Sequence, residues 1–139
     1  MHASSLYLRI SFVMALVATL GSLFVSEVLD YAPCVLCWYQ RIAMFPLSAI
    51  FFVALWSDDR DYVRYSLPLC AIGLAIAVYH NLLYYGVIPE AIAPCTQGVS
   101  CTDSQELVGF VTVPLLSLAA FLCLGALDVL ALARKKGSA

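Results

Sequence analysis

Four long apolar stretches constrain the fold of this chain more than any other feature of its sequence. They cover about residues 6–28, 34–56, 65–87 and 107–133, and each supplies the roughly 20 apolar residues that a membrane-spanning helix needs. Of the 139 residues, 63% are hydrophobic and only 12% are charged, whereas soluble domains carry about 25% charged residues. We therefore expect an all-α integral membrane protein, with residues 1–139 forming one four-transmembrane-helix bundle.

The first stretch has a second interpretation, because a signal peptide also begins with an apolar run. Here the run is long, and no A-x-A cleavage site follows it. A lipoprotein anchor at Cys34 is not expected either, since Pro33 stands where such a site needs a small residue. We expect the first helix to be retained.

The basic residues predict the orientation of the bundle. If the four helices alternate in direction, six of the seven Lys and Arg residues fall at one end, and the positive-inside rule makes that end cytoplasmic. Both termini are then expected in the cytoplasm. The outer loops, about 29–33 and 86–106, lie at the other end, and the second of them contains no Lys or Arg. The six basic residues are Arg9, Arg60, Arg64, Arg134, Lys135 and Lys136.

Four of the six cysteines fall at the predicted outer end: Cys34, Cys37, Cys95 and Cys101. Because an extracytoplasmic compartment is oxidising, two pairs suggest themselves, Cys34 with Cys37 and Cys95 with Cys101. An all-thiolate zinc site is a weaker alternative, since the C-x5-C spacing is loose for a zinc knuckle. Two purely structural disulfides are the stronger alternative. However, a C-x-x-C bridge removes little unfolded-state entropy, and such a short bridge is more typical of redox chemistry.

The segment PCVLCWYQR, residues 33–41, has features that favour a reactive thiol. Pro33 suits the first position of a helix, which places both cysteines near the first turn and Arg41 on the same helix face. Backbone N–H groups at a helix N-terminus and a nearby guanidinium both stabilise a thiolate, the reactive form of cysteine. An apolar carrier in the bilayer, such as a quinone, would meet Cys37 and Arg41 there. The alternative is that Arg41 only snorkels beside Trp38.

Four other polar or sulfur-containing residues lie within the apolar stretches. His80 is expected either to line a quinone pocket or relay protons, or to be a core histidine bonded to another helix through Asn81 or a carbonyl. Cys70 and Cys123 are expected to be small core residues. Asp128 lies near the inner end of the fourth stretch and is expected to reach solvent or the basic tail.

The pattern C34-V-L-C37-W-Y-Q-R41 resembles the disulfide bond formation protein B (DsbB) family. The resemblance extends over essentially the whole chain, because four apolar stretches and a second cysteine pair between the third and fourth fit the same topology. The five residues between Cys95 and Cys101 make that loop similar to the short one of BdbC-type members. The family is known to work with a quinone in keeping the bacterial periplasm oxidising.

The resemblance implies a thiol:quinone oxidoreductase in the bacterial cell membrane, with its redox cysteines on the extracytoplasmic face. The implied partner is an extracytoplasmic thioredoxin-fold thiol oxidase (DsbA-like), the setting is membrane lipid, and neither a metal nor a nucleic acid is expected. By this resemblance the partner attacks Cys95 and Cys101 leaves. Electrons then pass to Cys34 and Cys37, and Cys37 meets the quinone beside Arg41.

Two alternatives come from other proteins with four membrane helices. A transporter or assembly subunit would carry structural outer disulfides, and a proton-coupled carrier would need a carboxylate well inside a helix. Glu27 and Asp128 instead fall near the ends of their stretches, and the outer thiols would have no role. A vitamin K epoxide reductase-like enzyme also contains a C-x-x-C motif, which is expected towards its last helix. Here the motif opens the second helix, which favours the DsbB interpretation.

Overall fold

The computed structural model describes residues 2–89, 99–102, 106–108 and 111–137. Four helices dominate it, and each is long and apolar enough to cross a membrane, which confirms the predicted all-α, four-helix class. A short hairpin precedes the last helix. The elements are α1 His2–Glu27, α2 Val35–Ser57, α3 Val63–Tyr84, β1 Glu106–Val108, β2 Val111–Thr112 and α4 Val113–Gly137.

The helices pack in chain order around a ring, since each packs against its neighbours in sequence and α1 also packs against α4. The start of α2 and the end of α3 therefore lie at the same end of the bundle, which we call the cysteine end. At the opposite, basic end, Lys135 donates a hydrogen bond to the Asp61 carboxylate. The Arg134 guanidinium lies 5.5 Å from the centroid of the Tyr7 ring at that end. These two contacts join the end of α4 to the segment between α2 and α3 and to α1.

Several polar side chains are buried inside the bundle, and many large apolar side chains lie on its outer surface. Val17, Phe52 and Leu122 are among the large apolar residues on its outer surface. This distribution suits a bilayer, where lipid covers apolar surface and polar groups pair inside the bundle. The buried polar side chains are Ser11, Gln40, Arg41, Ser66, His80, Asn81, Thr112 and Asp128.

Helix α3 ends at Tyr84, three residues before the predicted end. Gly86 adopts a φ of 72°, a left-handed conformation that glycine reaches without steric cost. Its N–H donates to the Leu83 carbonyl at 3.1 Å, and the following N–H donates to the Leu82 carbonyl at 2.9 Å. These two bonds form a Schellman cap, which stops the helix although the apolar sequence continues.

Helix α4 begins at Val113, six residues after the predicted start. Residues 106–108 pair instead with residues 111–112 as an antiparallel hairpin. The Thr112 hydroxyl accepts a backbone N–H of the first turn at 3.4 Å, as a helix cap does. Pro114 follows where its missing N–H is tolerated. The apolar run crosses strand and helix without a change in composition, so the sequence pattern could not separate them.

Two expectations for residues of α4 were wrong. Asp128 does not reach solvent: it is 0% exposed, and its Oδ2 accepts the Ser66 hydroxyl at 2.6 Å. Cys123 is exposed on the surface of the bundle, whereas Cys70 is buried as expected. Five residues turn a helix by about 140°, so Cys123 and Asp128 lie on different sides of α4. Their positions along the sequence did not show which side faces the other helices.

Helices α3 and α4 approach each other closely at a glycine. A Cβ atom added at Gly73 would overlap the ring of Phe121. Phe121 belongs to the main hydrophobic core, which runs through the bundle. A second, smaller core lies at the cysteine end; we call it the cysteine cluster, and it consists of Cys34, Leu36, Cys37, Leu83 and Cys101.

Candidate active site

Cys34 and Cys37, at the start of α2, form a dithiol. Cys34 is the N-cap of the helix, with φ −70° and ψ 169°, and its sulfur accepts the backbone N–H of Cys37 at 3.3 Å. Both cysteines are in the reduced form, with their sulfur atoms 2.9 Å apart. Pro33, which we expected at the first helical position, precedes the cap instead. The extended backbone of Cys34 defines the cap and places the helix start at Val35.

His80 of α3 lies against this dithiol. Its side chain is fully buried, and its Nε2 atom is 3.8 Å from the Cys34 sulfur. Its other ring nitrogen, Nδ1, is 3.2 Å from the side-chain amide of Gln40, which is one turn beyond Cys37 on α2. His80 therefore contacts both the N-cap of α2 and Gln40 within the helix, and Gln40 fixes the orientation of its ring.

The surroundings of Cys34 favour its anionic form. The hydrogen bond from the Cys37 thiol is the largest cause, and together with the hydrogen bond and charge of His80 it lowers the pKa of Cys34 to about 4. The backbone N–H of Cys37 acts in the same direction, while burial opposes the shift. Because the thiolate is the reactive form of cysteine, these contacts favour Cys34 as the nucleophile of the pair.

Arg41 is held inside the bundle at the next turn of α2, where it is 8% exposed. Its Nε donates to the Ser22 hydroxyl at 2.8 Å, and its Nη2 donates to the Ser22 carbonyl at 2.8 Å. The guanidinium carbon also lies 5.3 Å from the centroid of the Trp38 ring, within cation–π range. A snorkelling arginine would extend its head group to the interface, whereas these contacts tie the guanidinium to α1.

A cavity of about 740 Å³ lies beside the dithiol, walled mainly by α1, α2 and α4. Cys37, Gln40 and Arg41 contribute to its wall near the cysteine end, whereas Cys34 and His80 do not line it. The dithiol therefore presents one sulfur residue to the cavity and the other to His80. Much of the remaining wall is apolar and includes Val13, Val17, Met44, Phe45, Leu116 and Phe121.

Cys101 joins the loop before α4 to this site. It is buried in the cysteine cluster with Cys34 and Cys37, and it is disulfide-bonded. Cys95, which we expected to be its partner, lies outside the described residues. Val99, two residues before Cys101, lines the cavity. The described part of the loop thus packs directly against the dithiol and the cavity.

The structure brings together the predicted site residues that it describes, with one difference in arrangement. Cys34, Cys37 and Cys101 share the cysteine cluster, and Arg41 lies on the cavity wall. His80 contacts Cys34 rather than the cavity, so its expected contact with a quinone stays a prediction that this geometry does not favour.

Sequence reasoning missed Gln40 and Ser22. Gln40 bonds His80, and Ser22 bonds Arg41 twice. Both are polar residues within apolar helices, and such residues mark functional positions by default. That signal was available for Gln40, which belongs to the segment PCVLCWYQR, but the sequence could not show which side chain it meets.

Comparison with known proteins agrees with this geometry. The family described as disulfide bond formation protein DsbB matches residues 4–131. A probable disulfide formation protein of Metapseudomonas resinovorans is 46% identical over 88% of this chain and 87% of its own length. Disulfide bond formation protein C of Bacillus subtilis (strain 168) is 42% identical over 84% of this chain and 85% of its own length. A probable disulfide formation protein of Chlamydia trachomatis is 38% identical, over 94% and 95%.

No solved structure matches the chain significantly. The family match nevertheless covers almost all of it, including the C-x-x-C segment and most of every helix. The four apolar helices and this match together identify a multi-pass membrane protein with a role in disulfide bond formation. The chain belongs to the DsbB family.

Proposed function

We propose that this protein is a thiol:quinone oxidoreductase that reoxidises an extracytoplasmic, thioredoxin-fold dithiol oxidase of the DsbA-like kind. Electrons pass from that partner to Cys95 and Cys101, then to Cys34 and Cys37, and finally to a membrane quinone. The partner, once reoxidised, supplies disulfide bonds to exported proteins. One observation carries the proposal: Cys37 belongs to the dithiol and also lines an apolar cavity within the membrane-spanning bundle.

The residues of the cavity fit a quinone. Its volume of about 740 Å³ is ample for a small-molecule ring, since ligand pockets typically measure about 300–1,000 Å³. Its mostly apolar wall suits the ring and its tail, while Gln40 and Arg41 offer donors to a carbonyl oxygen near Cys37. A quinone bound there would supply an acceptor for two electrons and two protons.

Arg41 provides fixed positive charge beside Cys37. The bonds to Ser22 and the contact with Trp38 hold the guanidinium in place before any reaction begins. A preorganised donor stabilises developing negative charge without the cost of reorienting solvent. In this proposal, Arg41 binds the carbonyl end of the quinone and stabilises Cys37 when it is a thiolate.

Cys34 is the nucleophile that closes the disulfide. Its anionic form is favoured because its pKa is lowered to about 4, chiefly by the hydrogen bond from Cys37. Its sulfur lies 2.9 Å from that of Cys37, and a disulfide bond is about 2.05 Å long, so closure needs a movement of less than about 1 Å. His80 stabilises the charge on Cys34, and Gln40 orients the imidazole.

The burial of Cys101 in the cysteine cluster supports direct exchange between the two cysteine pairs. The Cys101 thiolate attacks the Cys34 sulfur of the Cys34–Cys37 disulfide, and Cys37 leaves as a thiolate beside Arg41. Cys95 then attacks Cys101 in this mixed disulfide and releases Cys34. The loop pair loses two electrons and the Cys34–Cys37 pair gains them.

We place the cysteine end of the bundle on the extracytoplasmic face of the bacterial cell membrane. The basic residues support this orientation, since Arg60 and Arg64 flank the start of α3, and residues 134–136 end α4 with Arg-Lys-Lys. Positive charge favours the cytoplasmic side. The soluble partner would then approach from outside, where the loop bearing Cys101 lies.

The transporter alternative gains no support from the buried carboxylate. Asp128 is enclosed between α3 and α4, where it accepts the Ser66 hydroxyl, and it does not line the cavity. A carrier would need that carboxylate on its transport path. The polar residues of the cavity wall include Asp30, Gln40 and Arg41, and the last two offer donors that suit a carbonyl ligand.

Purified protein in detergent tests the proposal. The intact protein is mixed with a soluble quinone and a reduced thioredoxin-fold dithiol oxidase, and quinone absorbance is followed. We expect catalytic quinone reduction that is lost in Cys95→Ser and in Cys37→Ser but retained in Cys123→Ser, which changes an exposed cysteine. Equal turnover in Cys37→Ser would contradict the proposed electron path.

A further inference from the structure

Three side chains that bind transition metals converge at the dithiol. The sulfur atoms of Cys34 and Cys37 and a ring nitrogen of His80 lie within 4.8 Å of one another, and all three residues are buried. We propose that the reduced dithiol and His80 together bind one Zn²⁺ ion, which holds the pair reduced and blocks its oxidation. Zinc here is an inhibitor that competes with oxidation; it takes no part in electron transfer.

The observed distances are close to those of a zinc site. With Zn–S bonds of about 2.3 Å and Zn–N bonds of about 2.0 Å, tetrahedral ligands lie about 3.7 Å apart for two sulfurs and about 3.5 Å for sulfur and nitrogen. The distance from the Cys34 sulfur to His80 Nε2 is 3.8 Å, which already suits shared coordination. The two sulfurs, at 2.9 Å, need only separate by about 0.8 Å.

The contact between His80 and Gln40 bears on the tautomer that a zinc ligand needs. A metal-binding histidine almost always donates its other ring N–H to an acceptor, which fixes the tautomer and the direction of the ligating nitrogen. Nδ1 of His80 is 3.2 Å from the side-chain nitrogen of Gln40, and a flip of that amide group exchanges its nitrogen with its oxygen. In the zinc-bound state that we propose, the flipped Gln40 oxygen accepts the Nδ1 proton, and Nε2 gives up its own proton to present a lone pair beside Cys34.

Binding requires the reduced state of the dithiol. Zn²⁺ replaces the remaining thiol protons, which leave to solvent, and no electron is transferred. The oxidised pair has no thiolate to offer, so zinc binds the reduced protein alone and stabilises it by mass action. Three protein ligands leave the fourth position of the tetrahedron to water, as in other open zinc sites.

The test uses the full chain with Cys95→Ser and Cys101→Ser, so that the loop pair contributes no thiols. The protein is reduced, freed of reductant under anaerobic conditions, and titrated with Zn²⁺ against a chromophoric chelator. We expect one bound zinc per reduced chain and none per oxidised chain. Because neither quinone nor partner is present, this result is independent of whether the proposed quinone activity is correct.

X-ray absorption of the zinc-loaded protein identifies the ligands without altering them. We expect two sulfur atoms at about 2.3 Å and at least one imidazole nitrogen at about 2.0 Å. A shell without imidazole would overturn the proposal, and so would equal zinc binding by the oxidised protein. This measurement keeps the proposal testable even where a variant of His80 fails to fold.

Variants then distinguish the role of His80 as a zinc ligand from the role of Gln40, which orients the His80 ring. His80→Ala should weaken zinc binding by at least tenfold, and Gln40→Leu by about 10- to 100-fold. Gln40→Glu keeps an acceptor for Nδ1 and should restore most of the affinity. Cys123→Ser is the matched control and should leave binding unchanged. Unchanged affinity in both His80→Ala and Gln40→Leu would overturn the three-ligand site.

Discussion

Cys34 and Cys37 are two residues of the same kind that the fold places in different surroundings. Cys34 faces His80, whose Nε2 lies 3.8 Å from its sulfur, whereas Cys37 lines the cavity together with Arg41. The difference arises at the helix start, because a residue that caps α2 and one in its first turn point to different neighbours. It supports a division of labour in which Cys34 exchanges with the loop and Cys37 delivers electrons to the cavity.

Replacing Arg41 tests its proposed contact with the quinone. Arg41→Ala should raise the KM for quinone about 10- to 100-fold, because a hydrogen bond to a charged group contributes about 1.5–3 kcal/mol. Arg41→Lys should recover only part of the loss, since lysine lacks the planar set of donors that Ser22 and a carbonyl share. Steady-state kinetics at varied quinone concentration measure both. A KM within twofold of the original in Arg41→Ala would return this residue to a purely anchoring role.

The charge state of Cys34 gives a pH-dependent prediction. Its lowered pKa means that the thiolate is present above about pH 4 and is lost as the pH falls through that value. In the reduced Cys95→Ser, Cys101→Ser protein, thiolate ultraviolet absorbance should persist in mildly acidic solution and vanish in Cys34→Ser. His80→Asn should move the midpoint upward by about one to three pH units, because it removes a stabilising charge. A midpoint near the ordinary value of about 8.5 with His80 present would contradict this account.

For single residues, the sequence indicated the type of chemistry well, but it did not indicate which side chains are in contact. The spacing of Cys34, Cys37 and Arg41 along one helix was sufficient to indicate a redox site, since helical periodicity is a local property. The contact between His80 and Gln40 joins residues 40 positions apart on different helices. No local pattern encodes such a pairing, which depends on how α2 and α3 rotate against each other.

At the scale of elements, buried polar contacts tie the helices together. The Asn81 amide donates to the Pro114 carbonyl at 2.8 Å at the cysteine end, and Ser66 donates to Asp128 near the basic end. Both contacts join α3 to α4. Since lipid offers no hydrophobic force between helices, close packing and such polar bonds hold a membrane bundle together.

Asp128 should therefore matter for stability. Asp128→Ala leaves the Ser66 hydroxyl without its acceptor and opens space between α3 and α4, so we expect a loss of about 1–3 kcal/mol. Asp128→Asn keeps an acceptor of the same shape and should cost less than about 1 kcal/mol. Thermal unfolding in detergent compares the two variants. Combining Asp128→Ala with Ser66→Ala should add little, and full additivity would contradict a direct interaction.

Sequence patterns located the helices but did not give the exact positions of all their ends. Composition located all four helices, because the length of an apolar run is a reliable sign of a membrane span. It misplaced the start of α4, where the apolar run includes a strand that pairs across the hairpin. It also misplaced the end of α3, where the positive φ of Gly86 stops the helix inside apolar sequence.

At the scale of the whole molecule, the cysteine end and the basic end lie at opposite ends of the bundle. The cysteine cluster and the polar wall of the cavity lie together at the first, and the Lys135–Asp61 pair lies at the second. Such a separation suits a protein that meets a soluble partner on one side of a membrane and a carrier within it. If all four described helices cross the membrane in alternating directions, both ends of the chain lie on the same side, as we expect from the sequence.

Reporter fusions test the predicted orientation. A fluorescent protein that matures only in the cytoplasm, fused after Ala139, should fluoresce, and alkaline phosphatase fused there should be inactive. Fusions to a chain truncated after Val87, which follows α3, should show the opposite pattern. Active phosphatase at Ala139 would invert the topology and place the dithiol on the cytoplasmic side, where no oxidising partner is expected.

In the proposed mechanism, the Cys34–Cys37 dithiol passes its electrons directly to a quinone. The most direct measurement is a single turnover of the reduced Cys95→Ser, Cys101→Ser protein with excess soluble quinone under anaerobic conditions. Reduced quinone and remaining thiols are both counted. We predict that each chain reduces one quinone and loses two thiols, and that Cys37→Ser reduces none. Thiols that persist in excess quinone, with no quinone reduced, would contradict the account.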